Sequence, residues 1–312
     1  MSSFTPVDLE FTKALPKVEL HAHLSGSISR QCLHEIWQRK KTEDPTFAVE
    51  DPLVLMPPGK VDFTLQTFFS VFSKLIYQLC NDLESLKYAT NSVLEDFLDD
   101  GVRYLELRTI PRPSPEANIS REDYLNTILD TIDKFKARTQ EMSVFLILAL
   151  DRGHTTTSEA REIIDLAIAN KPRGVVGVDI CGNPTRGDVT LYQDAFARAK
   201  SHGLGLTLHF AETRASGTPA ELATLLSFQP DRLGHVIHVP DEFKREIIRR
   251  RIGLELWFFC SPVSNEYLLA AQHFGLDRTD LFDIATKSVD AIFGGALEKT
   301  RLKEMLTRFA LN

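Results

Sequence analysis

Short apolar runs alternate along the chain with longer segments that have helical periodicity. The runs are rich in Val, Ile, Leu and Phe, and several end at polar or glycine residues. Short runs without polar alternation are typical of strands covered on both faces, as in a parallel sheet. The pattern predicts seven strands, at Val18–Leu24, Arg103–Thr109, Ser143–Leu150, Val175–Ile180, Gly205–Phe210, Leu233–His238 and Leu254–Phe259.

The segments between these runs carry helix signals. Glu84–Asp100 has one apolar stripe at helical spacing, and Gly101 follows it as a C-terminal cap. Thr218–Glu221 predicts a capping box with proline at the first helical position, and Ser120–Asp123 predicts a similar helix start. Beyond the last predicted strand we expect only helices, at Asn265–Phe274, Asp280–Phe293 and Glu298–Phe309.

This alternation of strands and helices has no break in composition. It therefore predicts one α/β domain over residues 1–312, built as a (β/α)8 barrel of the TIM type. Closing such a barrel takes eight parallel strands. Because the pattern supplies only seven, we expect the barrel to be incomplete.

Composition and charge narrow the classes of partner. The net charge of −7 and the pI of about 5.8 leave no basic face for nucleic acid or an anionic membrane surface. Residues 1–18 lack a signal-peptide pattern and no apolar run is long enough to span a membrane, so we expect a cytoplasmic protein. The four cysteines form no C-x-x-C pair, so any metal site would use histidine and carboxylate ligands.

The first predicted strand contains two histidines, His21 and His23. Side chains two positions apart on a strand point to the same side, which in a barrel strand is the interior. Two inward imidazoles are costly to bury unless something such as a metal ion satisfies their ring nitrogens. We therefore favour a metal site over two ordinary polar strand residues.

A second group of candidate residues follows later strands. His209 lies at the carboxyl end of a predicted strand, where barrels of this type carry their active sites. A single histidine there is often a core residue, but beside the first two it gives a third nitrogen ligand, and Glu212 gives a proton donor. On the next strand His235 and His238 could both reach the site, and we favour His235 because it follows a glycine.

Five sequence motifs, in this order, resemble the adenosine deaminase family, and within it the adenosine deaminase-like branch. The likeness continues in SNEYLLAAQHF at Ser264–Phe274, so it runs nearly from end to end. The motifs are VELHAHLSGS at Val18–Ser27, YLELRTIPR at Tyr104–Arg112, GVDICGNP at Gly177–Pro184, LHFAE at Leu208–Glu212 and DRLGH at Asp231–His235.

The resemblance implies one zinc ion, bound by His21, His23 and His209. It also implies that Glu212 protonates the purine N1 during attack at C6, while His235 orients the attacking hydroxide. The implied reaction removes the C6 amine or methylamine of a purine nucleotide or nucleoside, with N6-methyl-AMP to IMP as the expected case.

The resemblance further implies a purine pocket. Its implied lining residues are His23, Ser25, Thr109, Arg112, Asp151 and Gly182. From residue type alone, Gly182 could equally be a turn glycine and Asp151 a charged strand end. Arg108 and Arg112 could meet a 5′-phosphate, although arginines at a barrel rim are more often solvated or paired.

The chain departs from the family pattern near residues 256–257. Family members have a loop, a helix and an eighth strand ending in Thr-Asp-Asp at this point, whereas here Gly253–Leu256 runs directly into Trp257–Pro262. The gap is on the order of thirty to forty residues, which matches the strand that the barrel lacks. In the family, the first aspartate of Thr-Asp-Asp completes the zinc site. In this chain Asp280, Asp283 and Asp290 lie in helical context and do not replace it.

Two sets of expectations follow from this gap. Zinc held by three histidines should bind more weakly, and activity should fall. An open barrel should be marginally stable or oligomerise through its strand edges, while a closed one would be a monomer. Two other functions stay open besides the zinc-dependent deaminase. One is an inactive purine-nucleotide-binding pseudoenzyme or truncated isoform. The other is a phosphotriesterase-like hydrolase, a class that generally has a bridging lysine or a second metal histidine.

Overall fold

The computed structural model of the protein describes residues 6–57, 71–255 and 262–311. The chain divides into two compact units. Unit 1 comprises Met1–Ala22, Phe97–Ile110 and Glu141–Asn312, and unit 2 comprises His23–Asp96 and Pro111–Gln140. The predicted junction at 256–257 and the last four residues, 256–259, of the last predicted strand lie outside the described residues.

Unit 1 contains a sheet of seven parallel strands whose spatial order is their order in the chain. Each strand pairs in parallel with its predecessor, as the strands of consecutive βα units do. The strands are β1 (Lys17–Glu19), β2 (Val102–Thr109), β3 (Ser143–Asp151), β4 (Val175–Cys181), β5 (Gly205–Phe210), β6 (Arg232–His235) and β7 (Gly253–Glu255). The prediction of an incomplete α/β barrel is confirmed.

The sheet curls toward closure. His21, just after β1, lies beside β7, with its Nδ1 atom 2.8 Å from Oε2 of Glu255. Within the described ranges, however, the edges of β1 and β7 have no strand between them that pairs with both. The sheet is therefore a half-barrel whose two edge strands approach each other through side chains.

Two predicted strands are longer than the observed ones. β1 ends at Glu19, so His21 and His23 follow the strand instead of lying on it. β6 ends at His235, because His235 and Val236 have φ angles of 68° and 56° and the left-handed region cannot continue a strand.

Helices cover the sheet of unit 1, and their buried faces carry the apolar residues of the core. The predicted helix Asp280–Phe293 is wrong at its end, because Arg278–Ser288 is followed by a 3₁₀ helix at Val289–Ala291. Further 3₁₀ helices lie at Lys171–Arg173 and Val189–Tyr192. The α-helices are Leu9–Ala14, Thr157–Ala169, Gln193–Ser201, Pro219–Ser227, Asp241–Arg250, Val263–Phe274, Arg278–Ser288 and Gly295–Leu311.

The Phe293 ring packs against the amino-terminal ends of two strands. A Cβ atom added to Gly177 or Gly205 would lie 3.0 Å or 2.6 Å from this ring. The Arg232 guanidinium lies over the Phe293 ring, 3.6 Å from its centroid. Only glycine leaves room for the aromatic ring here, so the ring fills the end of the barrel opposite to the carboxyl ends of the strands.

Unit 2 is helical. The capping box predicted at Ser120–Asp123 is confirmed, and it begins the helix Arg121–Arg138. The other α-helices are Arg30–Glu43, Pro52–Leu55, Tyr77–Leu79 and Leu83–Asp99, whose last turn passes into unit 1, with a π-helix at Phe72–Ile76 and a 3₁₀ helix at Pro115–Ala117. No helix in the described part of the chain is long and apolar enough to cross a membrane.

Candidate active site

Three imidazole rings meet at the carboxyl edge of the sheet in unit 1. The ring centroids of His21 and His209 are 4.7 Å apart, those of His21 and His235 4.9 Å, and those of His209 and His235 5.0 Å. Gly234 permits this approach, because a Cβ atom there would lie 2.3 Å from Cε1 of His21. The sequence motif Gly-His on β6 is thus needed for space as well as for its histidine.

Two buried carboxylates hold two of these rings. Oε2 of Glu255 lies 2.8 Å from Nδ1 of His21, and Nδ1 of His209 is hydrogen-bonded to Oδ1 of Asp179 at 3.2 Å, with Oδ2 at 3.1 Å. Burial opposes ionisation of Glu255, but Arg108 and Arg232 outweigh it and lower the pKa of this carboxyl. An ionised carboxylate only accepts hydrogen bonds, so each ring donates from Nδ1 and carries its lone pair on Nε2.

The histidines of the HAH motif and β5 fit a metal ion. Within the described ranges, the group that could supply ligands is His21, His23 and His209. Burial, reinforced by the charge of Arg108, lowers the pKa of His209 to about 3, so its ring is neutral at physiological pH. Neutral imidazole with its lone pair on Nε2 is the form that binds zinc and related transition metals.

A carboxyl group suited to proton transfer lies beside the histidines. Burial raises the pKa of Glu212 to about 7, with Asp179 adding to the rise and Arg152 opposing it. Its Oε2 atom is 3.8 Å from Nε2 of His235, whose own pKa is lowered to about 3 by burial and by His209. The pair therefore combines an acid that holds its proton near neutrality with an uncharged imidazole.

The backbone at this edge adopts unusual conformations. Ala211 has φ 52° and His235 has φ 68°, both in the left-handed region that non-glycine residues rarely occupy. Val236, a β-branched residue, has φ 56°. Such residues persist only where surrounding structure imposes them, and they concentrate at functional sites.

Gly182 and Asp151 contact each other at the ends of β4 and β3. Gly182 has φ +96°, and a Cβ atom on it would lie 2.6 Å from Oδ1 of Asp151. The same carboxylate oxygen accepts a hydrogen bond from the amide of Gly153 at 2.9 Å. Glycine is therefore required at 182 both for its backbone conformation and for the space that Asp151 occupies.

The two arginines suggested for a phosphate differ in their surroundings. Arg108 is fully buried and pairs with Asp179 and Glu255, so the suggestion that it meets a phosphate is wrong. Its neighbour Thr109, the last residue of β2, is buried at the carboxyl edge. In unit 2, Arg112 lies over the Tyr77 ring, 3.7 Å from the centroid, and donates to the Tyr77 hydroxyl at 2.8 Å.

The roles of the unit 2 residues stay predictions. His23 and Ser25 are both half-buried near the start of that unit, at the end of the motif that begins on β1.

Sequence reasoning missed Asp179 and Glu255 as site residues. A usable signal was present, since each is an acidic residue inside an otherwise apolar strand, and such residues are almost never buried unless paired.

An open α/β barrel that collects imidazoles and carboxylates at the carboxyl edge of its strands has the architecture of a barrel enzyme. A family model described as adenosine deaminase matches residues 16–257. The chain belongs to the adenosine deaminase family.

Known proteins resemble the chain over almost its whole length. N6-Methyl-AMP deaminase of Danio rerio is 31% identical, and the match covers 96% of this chain and 96% of that protein. The crystal structure of arabidopsis ADAL complexed with GMP has a TM-score of 0.87 at 30% identity, covering 96% of this chain and 98% of that one. The same protein complexed with IMP gives 0.85 at 29% identity, with the same coverage.

The match to the Danio rerio protein spans 345 residues, which is more than the 312 residues of this chain. The relative therefore has residues without a counterpart here. The position of the gap near residues 256–257 stays a prediction.

Proposed function

We propose that the protein is a zinc-dependent aminohydrolase that removes the C6 amine or methylamine of a purine nucleotide, with N6-methyl-AMP as the expected substrate. The observation that carries this proposal is the cluster of His21, His209 and His235 beside Glu212 in unit 1. The names of the relatives, and the GMP and IMP complexes of the arabidopsis protein, favour a purine nucleotide as the substrate.

Each residue of the cluster has a separate task in this reaction. A bound metal ion would supply Lewis-acid activation of water. His21 and His209 would hold it through Nε2, with His23 as the third ligand. We assign no residue of this chain as a fourth ligand.

Proton transfer falls to Glu212 and His235. Glu212 would donate its proton to the purine N1, so that the ring nitrogen can take up the electron pair as water adds to C6. The neutral imidazole of His235 would accept a hydrogen bond from the attacking water and orient it. Of the two protons of the attacking water, one leaves on the ammonia or methylamine as the C–N bond breaks and the other returns to Glu212, while the new C–O bond becomes the C6 carbonyl.

We propose that the purine lies at the carboxyl ends of β2, β3 and β4. The residues assigned to it there are Thr109, Asp151 and Gly182. Thr109 is buried at the end of β2, and Gly182 and Asp151 are already fixed by their mutual contact. Ser25 and Arg112 of unit 2 are proposed as further ligands, with Arg112 as the cation for the 5′-phosphate.

We further propose that the chain has an internal gap near residues 256–257, and that turnover is slow for this reason. The match to the Danio rerio relative spans 345 residues, whereas this chain has 312, and this difference supports a gap. Loss of the family's metal-binding aspartate would leave the metal with three protein ligands and a less defined position. The second candidate function is therefore a purine-nucleotide-binding protein without turnover.

The test is release of methylamine from N6-methyl-AMP by the purified chain with added zinc. A second chain carries the corresponding segment of the Danio rerio relative inserted after Leu256. Glu212→Gln in both chains is the control for chemistry that depends on this site.

Four results are distinguishable. Release by the restored chain alone, abolished by Glu212→Gln, supports the assignment and the gap. Comparable release by the chain as it stands contradicts the gap. If neither chain releases methylamine but both bind IMP in calorimetry, the binding protein is the correct function, and if neither binds IMP the proposal fails.

A further inference from the structure

Arg108 lies between two carboxylates in the interior of unit 1. Its Nη1 atom is 3.0 Å from Oδ2 of Asp179, and its Nη2 atom is 2.6 Å from Oε2 of Glu255. The second nitrogen also donates to the carbonyl of Leu20, just after β1. All three side chains are almost completely buried, so these ion pairs are not screened by water.

Each of the two carboxylates also holds one imidazole. The oxygen of Glu255 that accepts from Arg108 lies 2.8 Å from Nδ1 of His21. The oxygen of Asp179 that accepts from Arg108 is Oδ2, 3.1 Å from Nδ1 of His209, and the other oxygen, Oδ1, is hydrogen-bonded to that Nδ1 atom at 3.2 Å. One guanidinium on β2 therefore connects the anchors of two histidines, one just after β1 and one on β5.

The residue type matters for this connection. Arginine presents several N–H donors in a rigid planar fork, so it can serve two acceptors on opposite sides at fixed angles. A lysine would supply the same charge from a single point. Without the bridge, two buried carboxylates would repel each other and lose the fixed geometry that orients the rings.

We propose that Arg108 is a positioning residue for the metal site. Through Glu255 and Asp179 it fixes His21 and His209 together as Nδ1–H tautomers, which directs both Nε2 lone pairs to one transition-metal ion. This inference rests on the proposed function only for the identity of the ligand. The tautomers themselves are a property of the protein without metal.

The charge balance of the surrounding network agrees with a cation as the ligand. Arg232 continues the network, with its Nε atom 2.5 Å from Oε1 of Glu255 and a further ion pair to Glu106. Three carboxylates thus alternate with two guanidiniums through the core, which leaves one net negative charge. A divalent cation beside the two histidines would compensate this charge.

Arg232 also provides the matched control. It is fully buried and pairs with Glu255 as Arg108 does, but its second ion pair is to Glu106, whereas that of Arg108 is to Asp179. Replacing either arginine by lysine removes a buried guanidinium from the same network. Only Arg108→Lys breaks the connection between the two histidine anchors.

The first measurement is the tautomer of each histidine in metal-free protein, from long-range 15N–1H spectra of chain labelled at its nine histidines. Signals are assigned with His21→Gln and His209→Gln. We expect the Nδ1–H form for both rings in the parent chain and in Arg232→Lys. In Arg108→Lys both rings should show a mixture of tautomers.

The second measurement is zinc affinity by competition with a chelator. We expect Arg108→Lys to weaken zinc binding by about 10- to 100-fold, the usual effect of removing a partner of the ligands. Arg232→Lys should change it by less than about threefold. If Arg108→Lys does not fold, Asp179→Asn gives the same test on one ring, since it should alter the tautomer of His209 and leave that of His21 unchanged.

The outcomes separate this inference from the proposed function. Parent-like tautomers and zinc affinity in Arg108→Lys, or an unchanged His209 in Asp179→Asn, would overturn it. A parent chain that binds no zinc contradicts the proposed metal enzyme, yet the tautomer spectra still decide whether Arg108 positions the two rings.

Discussion

The Arg152 guanidinium forms two parallel hydrogen bonds with the Glu221 carboxylate, from Nη1 to Oε1 at 2.7 Å and from Nη2 to Oε2 at 2.9 Å. This pair joins the segment after β3 to the helix Pro219–Ser227. It also corrects the predicted capping box, because Thr218 does accept from the Glu221 amide but the Glu221 carboxylate binds Arg152 instead of returning to the cap.

Arg152→Met should lower the free energy of unfolding by about 3 kcal/mol, because it leaves a mostly buried carboxylate without its partner. Urea denaturation of the parent chain and the variant measures this difference. The matched control is Arg198→Met, which removes one half of the exposed ion pair between Arg198 and Asp165. Its expected cost is below about 1 kcal/mol, and an equal cost for both variants would contradict the prediction.

Glu212 should give the reaction a pH dependence. Burial raises its pKa to about 7, so the carboxyl keeps the proton that it must donate up to that pH and loses it above. We therefore expect kcat/KM in the chain that turns over to fall about tenfold per pH unit above pH 7. Steady-state rates of methylamine release between pH 6 and 9, in buffers of constant ionic strength, measure the profile.

Replacing the same side chain should remove the proton donor. Glu212→Gln keeps the shape of the carboxyl but should lower kcat by about 10²- to 10⁴-fold. Glu242→Gln, at an exposed position of the helix Asp241–Arg250, should leave kcat unchanged. A pH profile of kcat/KM that stays flat to pH 9 in the chain that turns over would exclude Glu212 as the acid.

Gly182→Ala should damage the site more than the backbone conformation alone explains. Both Gly182 and Gly275 have positive φ, but a Cβ on Gly275 would meet nothing within 4 Å, whereas one on Gly182 would collide with Asp151. We expect Gly275→Ala to cost about 1–2 kcal/mol from its left-handed backbone. Gly182→Ala should cost more and also raise the Kd for IMP, as calorimetry can measure; equal effects of the two substitutions on both quantities would refute the predicted contact.

Lys17 should make stability depend on pH in the alkaline range. Its buried ammonium donates to the carbonyls of Thr12 at 2.6 Å and Leu15 at 3.1 Å. Burial lowers its pKa from 10.5 to about 8, although Asp100 opposes the shift. Between these values the unfolded chain binds more protons than the folded chain, so the contribution of this group to stability rises with pH.

Comparison with Lys17→Met isolates this contribution. The free energy of unfolding of the parent chain minus that of the variant should increase from pH 8 to pH 10, by at most about 1.4 kcal/mol per pH unit. Denaturant titrations at each pH give both values. A difference that is constant or falls over this range would show that the ammonium keeps its proton in the folded chain.

The sequence determined the order and direction of the strands. Alternating apolar runs and helical segments are local signals, and parallel βα units leave few ways to arrange them. The positions of His21, His209 and His235 at the carboxyl edge follow from the same signals. Strand ends were less well predicted, because the left-handed backbone at Val236 depends on packing and not on a residue type that favours it.

The network behind the histidines was decided only by the tertiary structure. Arg108 and Asp179 are 71 positions apart in the chain, and Arg108 and Glu255 are 147 apart. No local pattern encodes which buried charge will meet which partner. The pairing exists because the sheet curls until β2, β4 and β7 present these side chains to the same dry interior, where each charge must find a partner of opposite sign.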